Sequence, residues 1–240
     1  MIGFGKFGKD WNTENSKQNW RITSTDDARL VHIDPTSKGF FERVLGCTTK
    51  DENIMEFIEA IKEVKEVGVG PFWKPIYDPS IEGKDIVFVK GNDPAVGYPF
   101  YYWKLEAEKM PAVEGKKWAL GTEYQYYAFL VWIVNGLVQN GRKVEEALDA
   151  VVNFSKELGH FYDSENSKID FEATGSREVC GVYDLGNTYK ILSCTNIDGY
   201  WRAGGDNGSY SDNFPLAELY YYMYYVDGGF ENSVGWLVLS

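Results

Sequence analysis

The chain has 240 residues and a net charge of −12, and it contains 17 tyrosines, 14 phenylalanines and 8 tryptophans. This length allows one large domain or two small ones. The negative charge disfavours nucleic acid and anionic lipid as partners, because binding to either needs clustered Lys and Arg.

No apolar run approaches the length of a membrane span, and the longest is Ala128–Val134. Met1–Trp11 carries Gly and charged residues where a signal peptide needs a continuous apolar stretch, so we expect synthesis in a cytoplasm without a secretory signal. The three cysteines, Cys47, Cys180 and Cys194, form no CxxC pair and predict reduced thiols. The only two histidines, His32 and His160, lie far apart in the sequence, which disfavours a His-based zinc site. We expect neither a metal nor another cofactor.

Residues 1–50 are polar and predict only short strands and loops. The first clear helix is indicated by Thr49 and Glu52, which stand in capping-box spacing. Apolar residues then recur at helical spacing over Ile54–Val64, and Gly68 ends the pattern.

Two apolar stretches follow this helix. Ile86–Val89 is bounded by turn residues and predicts a buried strand. Tyr98–Trp103 is aromatic and begins at the helix breakers Gly97 and Pro99, and we expect it to be extended and packed in the core.

Two further helices are predicted. Thr122 and Gln125 form a second capping box, before a nearly continuous apolar run that ends towards Gly136. A third helix is indicated over Val144–Leu158.

After residue 170, Gly, Asn, Asp, Ser and Tyr dominate, and turn signals predict short strands and loops. The alternating apolar run Val234–Leu239 predicts a strand in the centre of a sheet. No linker separates the segments, so we expect a single domain over 1–240.

Four segments resemble, in order, the formylglycine-generating-enzyme branch of the C-type lectin fold. Residues 120–128 (LGTEYQYYA) are similar to LPTEAEWEYA, with Gly121 in place of proline. The other three are 181–189 (GVYDLGNTY), 201–205 (WRAGG) and 233–238 (SVGWLV). The resemblance covers 118–240 and leaves 140–170 as an insertion. It implies an α+β fold with short twisted antiparallel strands, two or three helices and long loops.

The same resemblance argues against catalysis. Enzymes of that branch use a cysteine pair shortly before the final strand, and residues 217–232 contain no cysteine. The calcium-site tripeptides of carbohydrate-binding lectins, Glu-Pro-Asn and Gln-Pro-Asp, are absent as well. We therefore expect a non-catalytic protein.

A narrower resemblance is to the variable proteins of diversity-generating retroelements, which use this lectin-type fold and diversify a block near the C-terminus. Their randomised AAY codons never yield Trp, Gln, Met, Lys or Glu. Between Asp206 and Phe230, only Glu218 and Met223 belong to that excluded group, whereas Trp201 and Trp236 flank the stretch.

The composition of this stretch is also that of a binding surface. Clustered phenols are hard to bury together, because each buried hydroxyl needs a partner, and Tyr mixed with Ser, Gly and Asn is typical of antibody paratopes. The alternative is that some of these rings form an aromatic core strand. The predicted ligand-binding residues are Tyr200, Asp206, Asn207, Ser209, Tyr210, Asp212, Asn213, Phe214, Tyr220, Tyr221, Tyr222, Tyr224, Tyr225, Asp227 and Phe230.

The sequence thus favours a receptor-binding protein of a phage, archaeal virus or prokaryotic element, displayed on a virion or cell surface. The expected partner is a host-surface macromolecule, with protein favoured over glycan, and neither nucleic acid nor direct membrane insertion is expected. Two alternatives stay open: an oxidoreductase like the formylglycine-generating enzyme, and a glycan-binding lectin.

Overall fold

The computed structural model describes residues 30–113, 115–153, 178–183, 185, 188–195, 199–203, 217, 219–223 and 233–240, with the backbone alone at 189, 202 and 220–223. The fold is a mixture of helices and small, mainly antiparallel sheets. The helices are α1 (Glu42–Leu45), α2 (Glu52–Val67), α3 (Phe100–Lys109), α4 (Glu123–Gln139) and α5 (Val144–Val152). The strands are β1 (Leu30–Ile33), β2 (Phe72–Pro75), β3 (Ser80–Glu82), β4 (Asp85–Val87), β5 (Trp118–Leu120), β6 (Glu178–Val179), β7 (Val182–Tyr183), β8 (Tyr189–Ser193), β9 (Gly199–Ala203), β10 (Leu219–Met223), β11 (Ser233–Gly235) and β12 (Leu237–Leu239).

Two four-stranded sheets organise the described part of the chain. The first sheet has the order β1-β2-β12-β5 and is antiparallel throughout. The second sheet has the order β10-β9-β8-β11, in which β11 runs parallel to β8 and the other pairs are antiparallel. Two hairpins, β3-β4 and β6-β7, complete the described strands.

The apolar run at residues 233–239 connects the two sheets. It forms two strands rather than the single one expected, with β11 in the second sheet and β12 in the first. Between them the Trp236 amide donates to the Ile191 carbonyl at 3.0 Å, and the Gly121 amide donates to the Trp236 carbonyl at 2.9 Å. The prediction of a central strand is confirmed, because β12 lies between β2 and β5.

Helix α2 occupies the predicted position, but its predicted cap is wrong. Asp51, not Thr49, is the N-cap, and its carboxylate accepts from the Ile54 amide at 3.0 Å. Thr49 instead accepts from the Asp51 amide at 3.1 Å and supports the turn before the helix. The sequence offers two capping residues two positions apart, and the aspartate takes the helix end.

The capping box of α4 is confirmed. The Thr122 hydroxyl accepts from the Gln125 amide at 3.2 Å, and the Gln125 side chain accepts from the Thr122 amide at 3.0 Å. Helix α4 continues three residues beyond Gly136, and α5 begins at Val144 as expected. The predicted extension of α5 beyond residue 153 lies outside the described residues.

The expectation that Tyr98–Trp103 is extended is wrong, because α3 begins at Phe100. Pro99 is its N-cap, a position where the missing amide hydrogen costs little. Phe100, Trp103 and Ala107 are buried along one face. The segment Tyr98–Trp103 alone is too short to show this helical spacing, which appears in the sequence only when Ala107 is included. The core assignment holds for Phe100 and Trp103, whereas Tyr101 is exposed.

The predicted strand at Ile86–Val89 is present in shortened form. Strand β4 covers Asp85–Val87, and it pairs with β3 so that Ile86 lies opposite Ile81. Ile86, Val87 and Phe88 are buried, as the apolar run indicated.

Alternating residues of the first sheet face two hydrophobic cores. Val31, Phe72 and Val238 join the helical core, where the sheet packs with α2, α4 and α5. Leu30 and Leu239 join the α3 core, which contains Phe100 and Trp103. Both faces of the sheet are therefore covered, which explains the nearly unbroken apolar sequence of β12. Among the helices of the described ranges, none is long and apolar enough to cross a membrane.

His32 of β1 lies in a stack at the margin of the first sheet. Its ring stacks on Trp73 at 4.3 Å, and the Lys116 ammonium lies 4.5 Å from the Trp73 ring centre. The His32 Nε2 atom is buried, and no residue of the described ranges hydrogen-bonds to it. Burial lowers the pKa of His32 below its ordinary value of 6.5; the Asp34 carboxylate opposes this shift and Lys116 adds to it.

A lowered imidazole pKa makes stability depend on pH with a definite sign. As pH falls below 6.5, His32 becomes protonated in the unfolded chain before it does so in the folded protein. Neutral His32 therefore contributes its full share of the unfolding free energy above pH 6.5, and this share is lost as pH falls through the lower pKa of the folded state. His32→Phe keeps the stacking and cannot titrate. We expect this variant to lose less unfolding free energy than the parent between about pH 7 and about pH 5 in urea titrations. Equal losses in the two proteins would contradict the assignment.

Candidate functional site beside strand β10

The structure describes only part of the predicted binding surface. Tyr220, Tyr221 and Tyr222 lie in β10, with their backbones paired to Arg202, Trp201 and Tyr200 of β9. A strand at the tyrosine run is therefore confirmed, although the side chains of 220–222 are not described. Outside the described residues lie Asp206, Asn207, Ser209, Tyr210, Asp212, Asn213, Phe214, Tyr224, Tyr225, Asp227 and Phe230.

Tyr200 is the one predicted binding residue whose side chain lies within the described part of the structure, and its ring lies in the interior. Its side chain is 2 % exposed and stacks on Phe100 with ring centres 5.2 Å apart and planes 11° apart. It belongs to the α3 core and links the second sheet to α3. In this position Tyr200 supports the scaffold and does not present its ring to a ligand.

A cavity lies between the helices and the start of β10. Its volume is about 340 Å³, within the range of roughly 300–1,000 Å³ that is usual for small-ligand sites. Three of its described lining residues come from α2, one each from α4 and α5, and two from the beginning of the tyrosine-rich segment. They are Asn53, Glu56, Phe57, Tyr127, Val152, Ala217 and Leu219.

The floor of this cavity is aromatic and apolar. The rings of Phe57 and Tyr127 lie 5.9 Å apart at 54°. Phe57 and Val152 belong to the helical core, and Leu219 packs against it half-buried. These contacts fix the floor as part of the protein interior.

The rim of the cavity is polar and acidic. Asn53 donates to the Asn153 side chain at 2.8 Å, and Asn153 donates to Asp51 at 2.9 Å and to Asp149 at 3.1 Å. This chain of amides and carboxylates ties the start of α2 to the end of α5. Glu56 is exposed beside it, so the rim presents negative charge above an aromatic floor.

Tyr127 carries a hydroxyl that no described residue satisfies by a hydrogen bond. Burial raises its pKa to about 12, and the carboxylates of Glu63 and Glu123 add to the shift. Both carboxylates have other partners: Tyr124 donates to Glu63 at 2.7 Å, and the Thr195 hydroxyl donates to Glu123 at 3.0 Å. The Tyr127 phenol thus stays neutral, so its O–H can donate a hydrogen bond and its oxygen can accept one.

Away from the cavity, a buried ionic cluster joins the loop after β2 to β8. The Lys190 ammonium pairs with the Asp78 carboxylate, and both residues are nearly inaccessible, at 3 % and 2 % exposure. The Thr188 hydroxyl accepts from Lys190 at 2.8 Å and donates to Asp78 at 3.0 Å. Each group in this triangle therefore has a charged or hydroxyl partner.

The three cysteines form no disulfide, and the pKa values of their thiols are all raised. Burial raises the pKa of Cys180 to about 12, and burial together with Glu123 does the same for Cys194. The pKa of Cys47 is also raised, by burial and by the Glu145 carboxylate. Within the described ranges, no group of three or more His, Cys, Asp or Glu residues could hold a metal ion.

These raised pKa values predict slow thiol chemistry. We expect the folded protein at about pH 8 to react with a disulfide reagent far more slowly than the urea-unfolded protein, since only the thiolate attacks. Cys180, which is buried, should react last, as peptide mapping after timed quenching can determine. Labelling of Cys180 in the folded protein at the unfolded rate would contradict the described environment.

Comparison of the chain with protein-family models, curated proteins and solved structures gave no significant match. The function is therefore inferred from the residues themselves.

Sequence reasoning missed the cavity, because its floor residues have ordinary core patterns. Phe57 fits the apolar face of α2, and Tyr127 follows two other tyrosines at the start of α4. One signal was available in the second case. Tyr124, Tyr126 and Tyr127 cannot all direct hydroxyls into one apolar interface, so at least one phenol had to open onto a polar space.

Proposed function

We propose that this chain is a non-catalytic binding protein that displays a diversified surface, residues 206–230, on a rigid lectin-type scaffold. It would act as a variable protein of a diversity-generating retroelement and bind a host-surface macromolecule. The observation that carries the proposal is the tyrosine run of β10, which is held by backbone pairing next to a cavity.

Backbone pairing suits a diversified surface for a physical reason. The register of β10 against β9 is set by amides and carbonyls, which are the same whatever side chains follow. Side chains on such a strand can change without loss of the ladder. A preformed backbone also reduces the ordering entropy of binding, so that aromatic contacts contribute more fully to affinity.

The arrangement of elements is compatible with the lectin-type scaffold. The first sheet takes its central strand from residues 237–239, two long helices pack on one face, and a second small sheet carries the tyrosine run. Two of the segments with family resemblance, 120–128 and 233–238, meet where the two sheets join, because the Gly121 amide donates to the Trp236 carbonyl. This meeting supports the proposed scaffold.

The chemistry of the described thiols favours binding over the oxidoreductase alternative. Thiol oxidation needs accessible thiolates, and the raised pKa values keep Cys180 and Cys194 protonated at neutral pH. A purified protein that bound copper and turned over thiols would reverse this preference. Saturable, calcium-dependent binding on a glycan array would instead favour the lectin alternative.

The decisive test of the proposed family is the neighbouring DNA. We expect a near-copy of the codons for residues 196–232 beside a reverse-transcriptase gene, with differences almost confined to adenines of the copy. A neighbourhood without such a repeat, or a repeat with differences spread over all four bases, would remove the retroelement from the proposal.

A protein-level test uses Tyr221→Ala and Tyr224→Ala. If these rings belong to the binding surface, we expect each variant to lose less than about 1 kcal/mol of unfolding free energy. Tyr126→Ala is the matched control, because Tyr126 is 2 % exposed in the helical core and its loss should cost about 3–5 kcal/mol. Losses at 221 and 224 as large as the control, measured by urea denaturation, would assign those two rings to the core.

A further inference from the structure

The cavity beside β10 combines three features that point to one ligand chemistry. Its floor contains the paired rings of Phe57 and Tyr127, its rim carries the exposed Glu56 carboxylate, and the Tyr127 hydroxyl has no hydrogen-bond partner among the described residues. Aromatic faces attract cations electrostatically, and a carboxylate forms charge-assisted hydrogen bonds to ammonium or guanidinium groups. The described lining residues include no Lys or Arg to compete for these positions.

We propose that this cavity binds the side chain of an arginine or lysine presented by a protein partner. The apolar stem of such a side chain fits against Phe57, Val152 and Leu219, and its charged end reaches Glu56 and the Asn53 rim. Arginine suits the site best, because its planar guanidinium can stack on an aromatic ring while its edge donates hydrogen bonds.

The charge of the whole chain supports a basic partner. The net charge is −12, and Asp51, Asp149 and Glu63 add carboxylates next to the cavity residues. A negative field of this kind speeds the approach of a basic surface and slows that of an acidic one.

The cavity also has a distinct relation to the diversified segment. Only Ala217 and Leu219 belong to residues 206–230, whereas the helical residues lie outside it. If the proposed function holds, the lining residues from the helices do not vary and bind a basic side chain that all partners share. The variable residues then distinguish one partner from another. This last step rests on the proposed function, but the chemistry of the cavity does not.

The test is a titration of the full chain with a tetra-arginine peptide, with the tetra-citrulline peptide as the neutral isosteric control. We expect saturable binding of tetra-arginine alone, with chemical-shift changes on the rings of Phe57 and Tyr127. Glu56→Gln should weaken binding about tenfold, because it removes the carboxylate charge, and Tyr127→Phe about threefold, because it removes the hydroxyl oxygen that can accept from the cation. Thermal denaturation checks that each variant remains folded.

Glu66→Gln is the matched control, because Glu66 is another exposed carboxylate of α2 and does not line the cavity. It should change the affinity less than twofold. If Glu56→Gln and Glu66→Gln weaken binding equally, the attraction is that of the whole charge and the cavity proposal is overturned. The proposal is also overturned if tetra-citrulline binds as well as tetra-arginine, or if neither peptide binds. These results are independent of the DNA repeat, so the two proposals can fail separately.

Discussion

Gly121→Ala is expected to destabilise the protein by about 3 kcal/mol or more, because overpacking a filled core forces its neighbours off their preferred positions. A Cβ atom at residue 121 would lie 2.2 Å and 2.3 Å from two ring carbons of Trp236. That ring cannot retreat. It packs against Tyr126, Phe129 and Phe72 at centre distances of 5.3, 5.8 and 6.1 Å.

The matched control is Gly70→Ala, since a Cβ at Gly70 meets nothing within 4 Å. It should change the free energy of unfolding by no more than about 0.5 kcal/mol. Chemical denaturation measures both values. Gly235→Ala provides an independent repeat, because its Cβ would lie 2.4 Å from the Trp103 ring. A cost at Gly121 equal to that at Gly70 would show that Trp236 can repack.

This contact bears on the family resemblance as well. The motif that residues 120–128 resemble has proline where this chain has Gly121. Any residue with a Cβ, proline included, would meet the Trp236 ring at this position. Glycine here is therefore explained by the tryptophan that packs on it.

The second large effect is expected at the buried ionic cluster. Asp78→Leu removes the Asp78 carboxylate from beside the buried Lys190 ammonium, and Lys190→Met removes that ammonium from beside the buried Asp78 carboxylate. We expect each single change to cost about 3–5 kcal/mol. The double variant Asp78→Leu/Lys190→Met removes both charges and should recover much of that loss, since well-packed apolar residues can replace a buried pair.

The comparison pair is Lys62 and Glu59, which lie 2.5 Å apart on α2 with side chains 52 % and 70 % exposed. Lys62→Met and Glu59→Gln should each cost about 0–1 kcal/mol, because solvent screens an exposed pair. A double-mutant cycle in urea gives the coupling energy of both pairs. A coupling at Asp78–Lys190 no larger than that at Glu59–Lys62 would mean that water reaches the buried cluster.

The sequence predicted those features that depend on local patterns. The capping box at Thr122 and the apolar face of α2 each involve residues within a few turns of one helix, and both are confirmed. The central position of β12 was predicted from its unbroken apolar run, because a strand that is covered on both faces buries all of its side chains. The α+β class, which the family resemblance implied, agrees with the observed helices and small sheets.

Features that depend on distant contacts were not predicted. Helix α3 owes its buried face to the α3 core, and its first residues alone have the composition of a strand. Asp78 and Lys190 are 112 positions apart, and nothing near either residue indicates the other. The cavity likewise arises from α2, α4, α5 and β10, which are each ordinary in sequence. Most of the predicted binding residues lie outside the described ranges, so that prediction stays a prediction.

The place of β12 has a kinetic consequence. Its pairs join Leu239 to Trp73 and to Trp118, so the middle of the first sheet closes only across long stretches of chain. Proteins dominated by such long-range pairings fold slowly, because loop closure must precede the contacts that reward it. Until β12 docks, β2 and β5 present unpaired edges to other chains. Refolding yield should therefore fall as protein concentration rises, which makes dilution the first variable to control in preparing the protein.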